Sequence, residues 1–171
     1  KDTLDLIKGQ TGKIIYKLNP EDTTDDKNVT FTSSDESVAT VSEDGTVTAV
    51  KTGTTNVTLT GANNVTATVV INVTEIPVDQ IVLDKQSTVI EKGQKDILTA
   101  TVGPENSTDE DTSVTWKSSN PDVVTVSPNK TNNGESVTVT ATDKGGQATI
   151  TATTANGKTA TCEITVPVHI E

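Results

Sequence analysis

The stretch Val114-Thr115-Trp116-Lys117-Ser118-Ser119 decides the fold, because it matches an earlier stretch, Val29-Thr30-Phe31-Thr32-Ser33-Ser34, at a spacing of 85 residues. A second match lies upstream, where Lys8-Gly9-Gln10 recurs as Lys92-Gly93-Gln94 at a spacing of 84 residues. Self-similarity at a nearly fixed period is the sequence signature of repeated structural units. The 171 residues are therefore expected to form two homologous units.

The spacing grows toward the end of each unit, where Ala67-Thr68-Val69 matches Ala160-Thr161-Cys162 at 93 residues. This growth locates an insertion in the second copy around residues 128–135, a stretch rich in Asn, Gly and Pro that predicts a longer hairpin loop. The two copies meet near Ile76-Pro77. We therefore predict two domains, residues 1–75 and residues 76–171.

Apolar residues alternate with polar ones in both units, which is the pattern of a half-buried strand. Val69, Ile71 and Val73 share one face of such a stretch. Strands of the first unit are predicted near residues 4–7, 12–18, 28–32, 38–41, 46–50, 55–60 and 66–73. Short strands separated by regular turn signals predict an all-β chain of two tandem immunoglobulin-like β-sandwiches, of about seven strands each.

Composition agrees with strands and excludes some functions. Thr contributes 35 residues and Val 22, and β-branched side chains favour a pleated surface over a helix. The net charge is −11, with 13 Lys and no Arg, which argues against nucleic acid as a partner. No apolar run approaches ~18 residues, so membrane insertion is not expected.

The residue types used in catalysis are scarce and better explained by packing. Trp116 lies in an alternating strand, which predicts a core anchor rather than a sugar-stacking platform. Cys162 occupies the position of Val69 in the other copy, so we expect a small buried hydrophobe. His169 is the single histidine and has no nucleophile or acid at a spacing typical of a triad. The sequence predicts no enzyme and no cofactor.

Corresponding loops of the two units carry acidic clusters, and hard oxygen ligands are those that Ca²⁺ prefers. Neither cluster follows the spaced pattern of an EF-hand loop, and charge runs in long loops are usually solvated. No metal site is therefore predicted, and calcium stays an alternative. The candidate ligands would be Asp22, Asp25, Asp26, Asp109, Glu110 and Asp111.

The repeated motifs resemble the bacterial immunoglobulin-like domain, group 2. The second unit carries the family pattern in Lys92-Gly93-Gln94, in Val114 to Pro121 and in Lys158 to Val166. The first unit carries it in Ser33 to Val41 and in Gly45 to Gly53. The resemblance covers nearly the whole chain and implies a sandwich fold, whereas it says little about a particular ligand.

Two departures from the family pattern concern the first unit. Phe31 stands where the family usually has Trp, and Lys1 aligns with Lys85, so that a counterpart of residues 78–84, the first strand, is lacking. Residues 166–171, in turn, resemble residues 76–81, which lead into a first strand. The simplest interpretation is a piece of a longer tandem array. A sharper hypothesis is head-to-tail self-association, in which the tail of one molecule supplies the strand that another lacks.

The resemblance implies a non-catalytic extracellular spacer or adhesion module of a bacterial cell-surface protein or a phage virion structural protein. Its expected partners are neighbouring domains of the same chain or further copies of it. An alternative is a domain that binds cell-surface carbohydrate through loops at one end of a sandwich. Sugar stacking usually needs exposed aromatic rings, and Tyr16 is the one aromatic residue left for that role.

Overall fold

A computed structural model of the chain describes residues 2–19, 24 and 26–168. The chain separates into two compact units, Lys1–Ile76 (the first unit) and Pro77–Glu171 (the second unit). Strands form nearly all of the regular structure, and the described residues also hold one 3₁₀ turn, Ala62–Asn64. None of these residues belongs to a helix long and apolar enough to cross a membrane.

The first unit is a sandwich of two sheets. One sheet has the strand order β1-β7-β6-β3 and the other the order β2-β5-β4. Residues from both inner faces, among them Leu6, Val47, Val57 and Ile71, form its core. The strands are β1 (Asp2–Ile7), β2 (Thr11–Lys13), β3 (Thr30–Ser33), β4 (Ala39–Val41), β5 (Thr46–Ala49), β6 (Gly53–Thr60) and β7 (Thr66–Thr74).

The second unit repeats this arrangement and extends each sheet by one strand. Its sheets have the orders β12-β14-β10-β8 and β13-β11-β15-β16-β9, where β8 and β13 have no counterpart strand among the described residues of the first unit. The strands are β8 (Gln80–Leu83), β9 (Ser87–Val89), β10 (Lys95–Gly103), β11 (Val114–Ser118), β12 (Val124–Ser127), β13 (Lys130–Thr131), β14 (Ser136–Ala141), β15 (Gly146–Thr154) and β16 (Thr159–Val166). The predicted all-β fold of two sandwiches is confirmed.

The repeated Lys-Gly-Gln motif is a tight turn that ties the two sheets of each unit together. Gly9 and Gly93 have φ angles of 84° and 73°, a left-handed conformation that favours glycine. The following Gln10 N–H donates to Ile7 O at 2.8 Å, and Gln10 O accepts from Ala49 N at 2.9 Å. The second copy repeats both bonds at 2.9 Å. The motif recurs because this turn requires it.

The repeated Ser-Ser motif fixes the corner after the strand that carries Phe31 or Trp116. Ser34 N–H donates to Asn56 O at 2.8 Å, and the Ser34 hydroxyl accepts from Asn56 N at 3.1 Å. Ser119 makes the same two bonds with Thr149, both at 2.9 Å. A side chain that satisfies backbone groups at the end of a strand explains why Ser is found at both positions.

The inserted stretch of the second unit has a structural role that its composition did not predict. It forms β13, which pairs with β11, and brings Thr131 against the buried Trp116 ring. Trp116 Nε1 donates to Thr131 Oγ1 at 2.9 Å. The predicted core position of Trp116 is confirmed, since 3% of its surface is exposed.

One predicted strand is much shorter than expected. The pattern indicated a strand over residues 12–18, whereas β2 ends at Lys13 and residues 14–19 form no strand. In the second unit the corresponding part of β10 is held by β8. Because a strand is defined by its hydrogen-bonded neighbour, an alternating sequence without such a neighbour does not become one.

Candidate functional site: the uncovered edge of the first unit

In the second unit, strand β8 covers the edge of the sheet whose counterpart in the first unit is uncovered. Strand β8 pairs antiparallel with residues 100–103 of β10, and its Ile81 and Leu83 side chains are buried in the core. Asp84 N–H, just beyond the strand, donates to Thr99 O at 3.0 Å. The strand thus completes one sheet and closes one side of the sandwich.

Polar groups fix the residue that leads into β8. Val78 N–H donates to Asp109 Oδ2 at 2.8 Å, and Val78 O accepts from Asn156 Nδ2 at 2.7 Å. Both backbone groups of a buried residue are therefore satisfied by side chains, as burial requires. Asp109 anchors the entry of the first strand, a function that the sequence did not reveal.

The matching edge of the first unit, residues 14–19, is uncovered. At the 84-residue spacing, Tyr16 and Leu18 correspond to Ala100 and Val102, which are 1% and 2% exposed. Tyr16 is 44% exposed, and Leu18 is half-buried. No strand pairs with this edge among residues 2–19, 24 and 26–76. Ile14 N–H still donates to Gly45 O at 3.0 Å, and no described strand pairs with residues 15–19.

A groove of about 340 Å³ runs beside this edge within the first unit. Its lining is mixed. Apolar side chains include Leu18, Leu59 and Val65, and polar ones include Lys17 and Asp26. In the second unit, the residue matching Ala67 is Ala160, which lies near the start of β16, beside β8. The groove therefore lies where β8 would lie if the first unit had one.

Core residues near the groove are less buried than their counterparts. Five hydrophobic residues of the first unit are only partly covered, whereas the second unit has two such residues, Val126 and Ala160. Val29 is partly covered, whereas its counterpart Val114 is fully buried. Val69 is likewise partly covered, whereas its counterpart Cys162 is fully buried. The five are Leu4, Val29, Phe31, Val41 and Val69. Partly covered core residues are therefore more numerous in the first unit than in the second among the described residues.

The single exposed aromatic ring near the groove packs against another ring. Tyr16 contacts Phe31 edge to face, with ring centroids 5.8 Å apart and an interplanar angle of 68°. Such a contact stabilises the pair of rings. The arrangement resembles a partly covered core more closely than a sugar-binding platform.

Two of the calcium candidates, Asp26 and Asp111, cap turns of their own loops. Asp26 Oδ1 accepts from Asn28 N at 3.0 Å, and Asp111 Oδ1 makes the same bond with Ser113 at 2.9 Å. Hydrogen bonds from Ser113, together with the Lys130 charge, lower the pKa of Asp111. These bonds are those of Asx turns, in which the carboxylate serves its own loop.

Among the described residues, the remaining calcium candidates are Asp109 and Glu110. Asp109 holds Val78, as described above, and Glu110 is exposed on the same loop. Asp22 and Asp25 lie outside the described residues, as does His169. Within the described ranges, no group of three or more His, Cys, Asp or Glu side chains is arranged to hold a metal ion.

The single cysteine is buried, as its equivalence with Val69 predicted. Cys162 is 0% exposed and lies in the core of the second unit beside Ile164. Burial raises the pKa of its thiol, which disfavours the reactive thiolate. The position is therefore a packing site.

Exposed carboxylates are bound by hydroxyls and lysines near the strand ends. The Asp44 carboxylate accepts from the Ser42 and Thr46 hydroxyls and from Lys13 Nζ, the last at 3.0 Å. These bonds, that of Ser42 first, hold the pKa of Asp44 well below its usual range. The pKa of Asp96 is lowered as well, chiefly by the hydrogen bond that Lys85 donates to its carboxylate.

Comparisons with known proteins agree with the two-unit fold. Domains 4 and 5 of the S-layer protein SbsC are 25% identical over 90% of this chain and 79% of theirs, with a TM-score of 0.55. A longer SbsC structure, rSbsC(31-844), is 25% identical over 84% of this chain, with a TM-score of 0.57. This chain spans about a fifth of that longer protein, 20% of its length. A search of curated proteins gave no match.

The family model of the bacterial Ig-like domain (group 2) matches two segments, residues 1–72 and 77–164. The two matches coincide with the two sandwiches and leave only the junction and the last residues uncovered. The turn glycines and the paired serines that recur between the units account for the motifs behind this resemblance. The chain therefore belongs to the bacterial Ig-like domain (group 2) family and contains a tandem pair of its domains.

Proposed function

We propose that this chain is a non-catalytic extracellular spacer or adhesion module of a bacterial cell-surface structural protein. Its partners in this role are neighbouring immunoglobulin-like units, of the same parent chain or of another copy. The similarity to domains 4 and 5 of an S-layer protein supports a place at the cell surface and favours it over a virion.

The strand pairing of the first unit carries the proposal. Strand β1, near the start of the unit, pairs in parallel with β7 at its end, over six residue pairs from Asp2↔Val69 to Ile7↔Thr74. Tension applied through the two ends pulls these strands in opposite directions along their length. The bonds between them then resist together instead of opening one at a time, as a tension-bearing spacer requires.

The second unit has the same parallel arrangement on a smaller scale. Strand β9 pairs with β16 over three residue pairs, from Glu163↔Ser87 to Thr165↔Val89. In the first unit, the Asn72 side chain adds a bond across the pair by donating to Asp5 Oδ1 at 2.8 Å. Both units thus join their early and late strands, which suits a chain that transmits force from end to end.

Single-molecule pulling through the two ends tests this role. We expect two unfolding events that release at most about 270 and 340 Å of chain, given ~3.6 Å per extended residue. Lys8 N–H donates to Thr74 O, and alternate residues of a strand face the same neighbour, so Leu4 N–H also faces β7. Leu4→Pro removes that donor and should lower the rupture force of the first unit more than Leu4→Ala does.

Equal rupture forces for the two variants would contradict the shear mechanism. The surface location is tested separately with antibodies raised against this chain. They should label intact cells of the source bacterium, and labelling only after lysis would contradict an extracellular role.

A further inference from the structure

We propose that Asn156 is a site of spontaneous deamidation, and that this covalent modification releases the entry of strand β8. The site is the turn between β15 and β16, where Gly157 follows Asn156. The co-reactant is water. The inference concerns the second unit alone and does not depend on the spacer role.

The reaction uses the backbone of the residue that follows the asparagine. The backbone nitrogen of Gly157 gives up its proton, and its electron pair attacks Cγ of Asn156. The bond from Cγ to Nδ2 breaks, ammonia leaves, and a cyclic succinimide remains. Water then opens the ring at either carbonyl carbon, which leaves aspartate or isoaspartate at this position. Glycine favours the ring closure because no Cβ obstructs the approach of its nitrogen.

The turn gives this reaction both access and room. Asn156 and Gly157 are exposed, so water reaches the ring once it forms. A Cβ added at Gly157 would meet nothing within 4 Å beyond the neighbouring residues. The Gly157 N–H donates to Thr154 O at 3.0 Å, a bond within the turn itself. The attacking nitrogen is therefore freed when this one turn opens.

The chain holds a second Asn-Gly pair, Asn133-Gly134, whose reacting groups are bound to another strand. Gly134 N–H donates to Ala100 O of β10 at 3.1 Å, and Asn133 Oδ1 accepts from Val102 N of the same strand at 2.8 Å. Freeing this attacking nitrogen requires the loop to separate from β10. We therefore expect Asn156 to react faster than Asn133 in the folded chain, although the dipeptide is the same.

Deamidation removes a bond that holds β8 in place. Asn156 Nδ2 donates to Val78 O at 2.7 Å and lies 3.4 Å from Asp109 Oδ2, which accepts from Val78 N. A carboxylate oxygen in place of this nitrogen would face two acceptors with no hydrogen to share. Its charge would also lie beside the Asp109 carboxylate, and like charges at this range repel. The carbonyl of the buried Val78 thus loses its donor.

The first unit supplies a variant that separates the turn from the reaction. At the 93-residue spacing, Asn64 occupies the position of Gly157, and their φ angles are 60° and 88°. The left-handed position of this turn therefore tolerates asparagine. Gly157→Asn should keep the turn and the bond to Val78, while its side chain obstructs ring closure and slows the modification of Asn156 at least fivefold.

The test incubates the intact chain in mildly alkaline buffer at physiological temperature, both folded and in urea. Peptide mass spectrometry follows each site, and labelling by an isoaspartyl methyltransferase detects the isoaspartate product. In the folded chain Asn156 should convert at least fivefold faster than Asn133, whereas in urea the two rates should agree within twofold. Asn129, which is exposed and followed by Lys130, serves as the slow reference.

Hydrogen exchange measures the consequence for β8. Asn156→Asp imitates one product, and the amides of residues 78–83 should then exchange at least tenfold faster. Gly157→Asn should leave their exchange within twofold of the original chain. The modified original chain, separated from the unmodified chain by its added negative charge, supplies the same measurement without a substitution. Amides of the first unit should keep their exchange rates throughout.

Four results would overturn the proposal. These are conversion at Asn156 no faster than at Asn129, equal rates at Asn156 and Asn133 in the folded chain, a rate at Asn156 that Gly157→Asn does not lower, and unchanged exchange of β8 in the modified chain. The first three would reject the site, and the fourth would reject its effect on β8.

Discussion

The hydrogen bond between Trp116 and Thr131 should contribute measurably to the stability of the second unit. The two side chains are 3% and 6% exposed, and Trp116 Nε1 donates to Thr131 Oγ1 at 2.9 Å. The indole N–H is a donor only, so a Thr131→Val variant leaves it buried without an acceptor. An unsatisfied buried donor costs about 1–3 kcal/mol, and Thr131→Val should lower the free energy of unfolding by that amount.

A double-mutant cycle separates this bond from packing. Trp116→Phe removes the donor together with part of the ring, so it is destabilising mainly through lost volume. In the Trp116→Phe variant, the further change Thr131→Val leaves no unsatisfied indole N–H. It should therefore lower the free energy of unfolding by less than it does when Trp116 is present. The coupling between the two substitutions is then about 1–2 kcal/mol, in the range measured for contacting residues.

The assay is urea unfolding followed by two-dimensional NMR, with amide signals of β15 as the reporter of the second unit. This reporter is needed because Trp116→Phe removes the only tryptophan and the chain holds two compact units, of which only the second is to be followed. Additive effects, with a coupling below about 0.5 kcal/mol, would refute the view that the insertion stabilises the indole. Unchanged signals of the first unit serve as the internal control.

Three further outcomes follow from burial and charge. Leu83→Ala should cost the second unit about 2–5 kcal/mol in urea unfolding, whereas the change at its exposed neighbour, Val82→Ala, should stay within about 0.5 kcal/mol. The pKa of Asp44 is depressed in the folded state, chiefly by Ser42, so its contribution to stability is present above the unfolded pKa of ~3.9 and is lost as the pH falls below that value. Asp44→Asn should therefore weaken the acid dependence of the first unit's melting temperature, and an unchanged dependence would contradict this assignment. Cys162 should react with a thiol reagent only after unfolding, because it is buried and its pKa is raised; rapid reaction of the native chain would indicate that the core opens.

Local sequence rules predicted the elements that depend on neighbouring residues. The Lys-Gly-Gln turn requires a left-handed glycine, and the Ser-Ser corner requires a hydroxyl next to a free backbone N–H. Both requirements act within a few residues or one strand pair, so they leave a repeated mark in the sequence. The repeat then gave the fold class, because two copies of the same alternating pattern have the same packing requirement.

The acidic loops show where such rules fail. Asp26, Asp109 and Asp111 are calcium candidates because they belong to acidic clusters in corresponding loops of the two units. Two of them cap their own turns, and one holds Val78 from another part of its unit. Composition shows that oxygen ligands are present, but it does not show which hydrogen-bond donor each of them faces. The signal that could have identified Asp109 is its pairing with Asn156, which is visible only once the loops are brought together.

The strand predicted over residues 12–18 failed for a different physical reason. Its sequence alternates as well as that of β10, and the first half does pair, as β2 with β5. The second half lacks the partner that β8 provides in the other unit, so no strand ladder continues past Lys13 among the described residues. A segment becomes a strand of a sheet only when a neighbouring strand supplies its hydrogen-bond partners. The alternating pattern along one segment indicates only that it could pair in this way.

The substitution of Phe31 for tryptophan fits the same reasoning. A buried indole needs an acceptor, and in the second unit that acceptor comes from the inserted strand β13. The first unit is shorter at this loop, and its described residues form no strand beside β3 other than β6. A ring without a polar group avoids an unsatisfied donor there. The aromatic residue at this position is therefore set by whether the neighbouring loop can offer a hydroxyl, so adding the insertion to the first unit should be a precondition for tolerating Phe31→Trp.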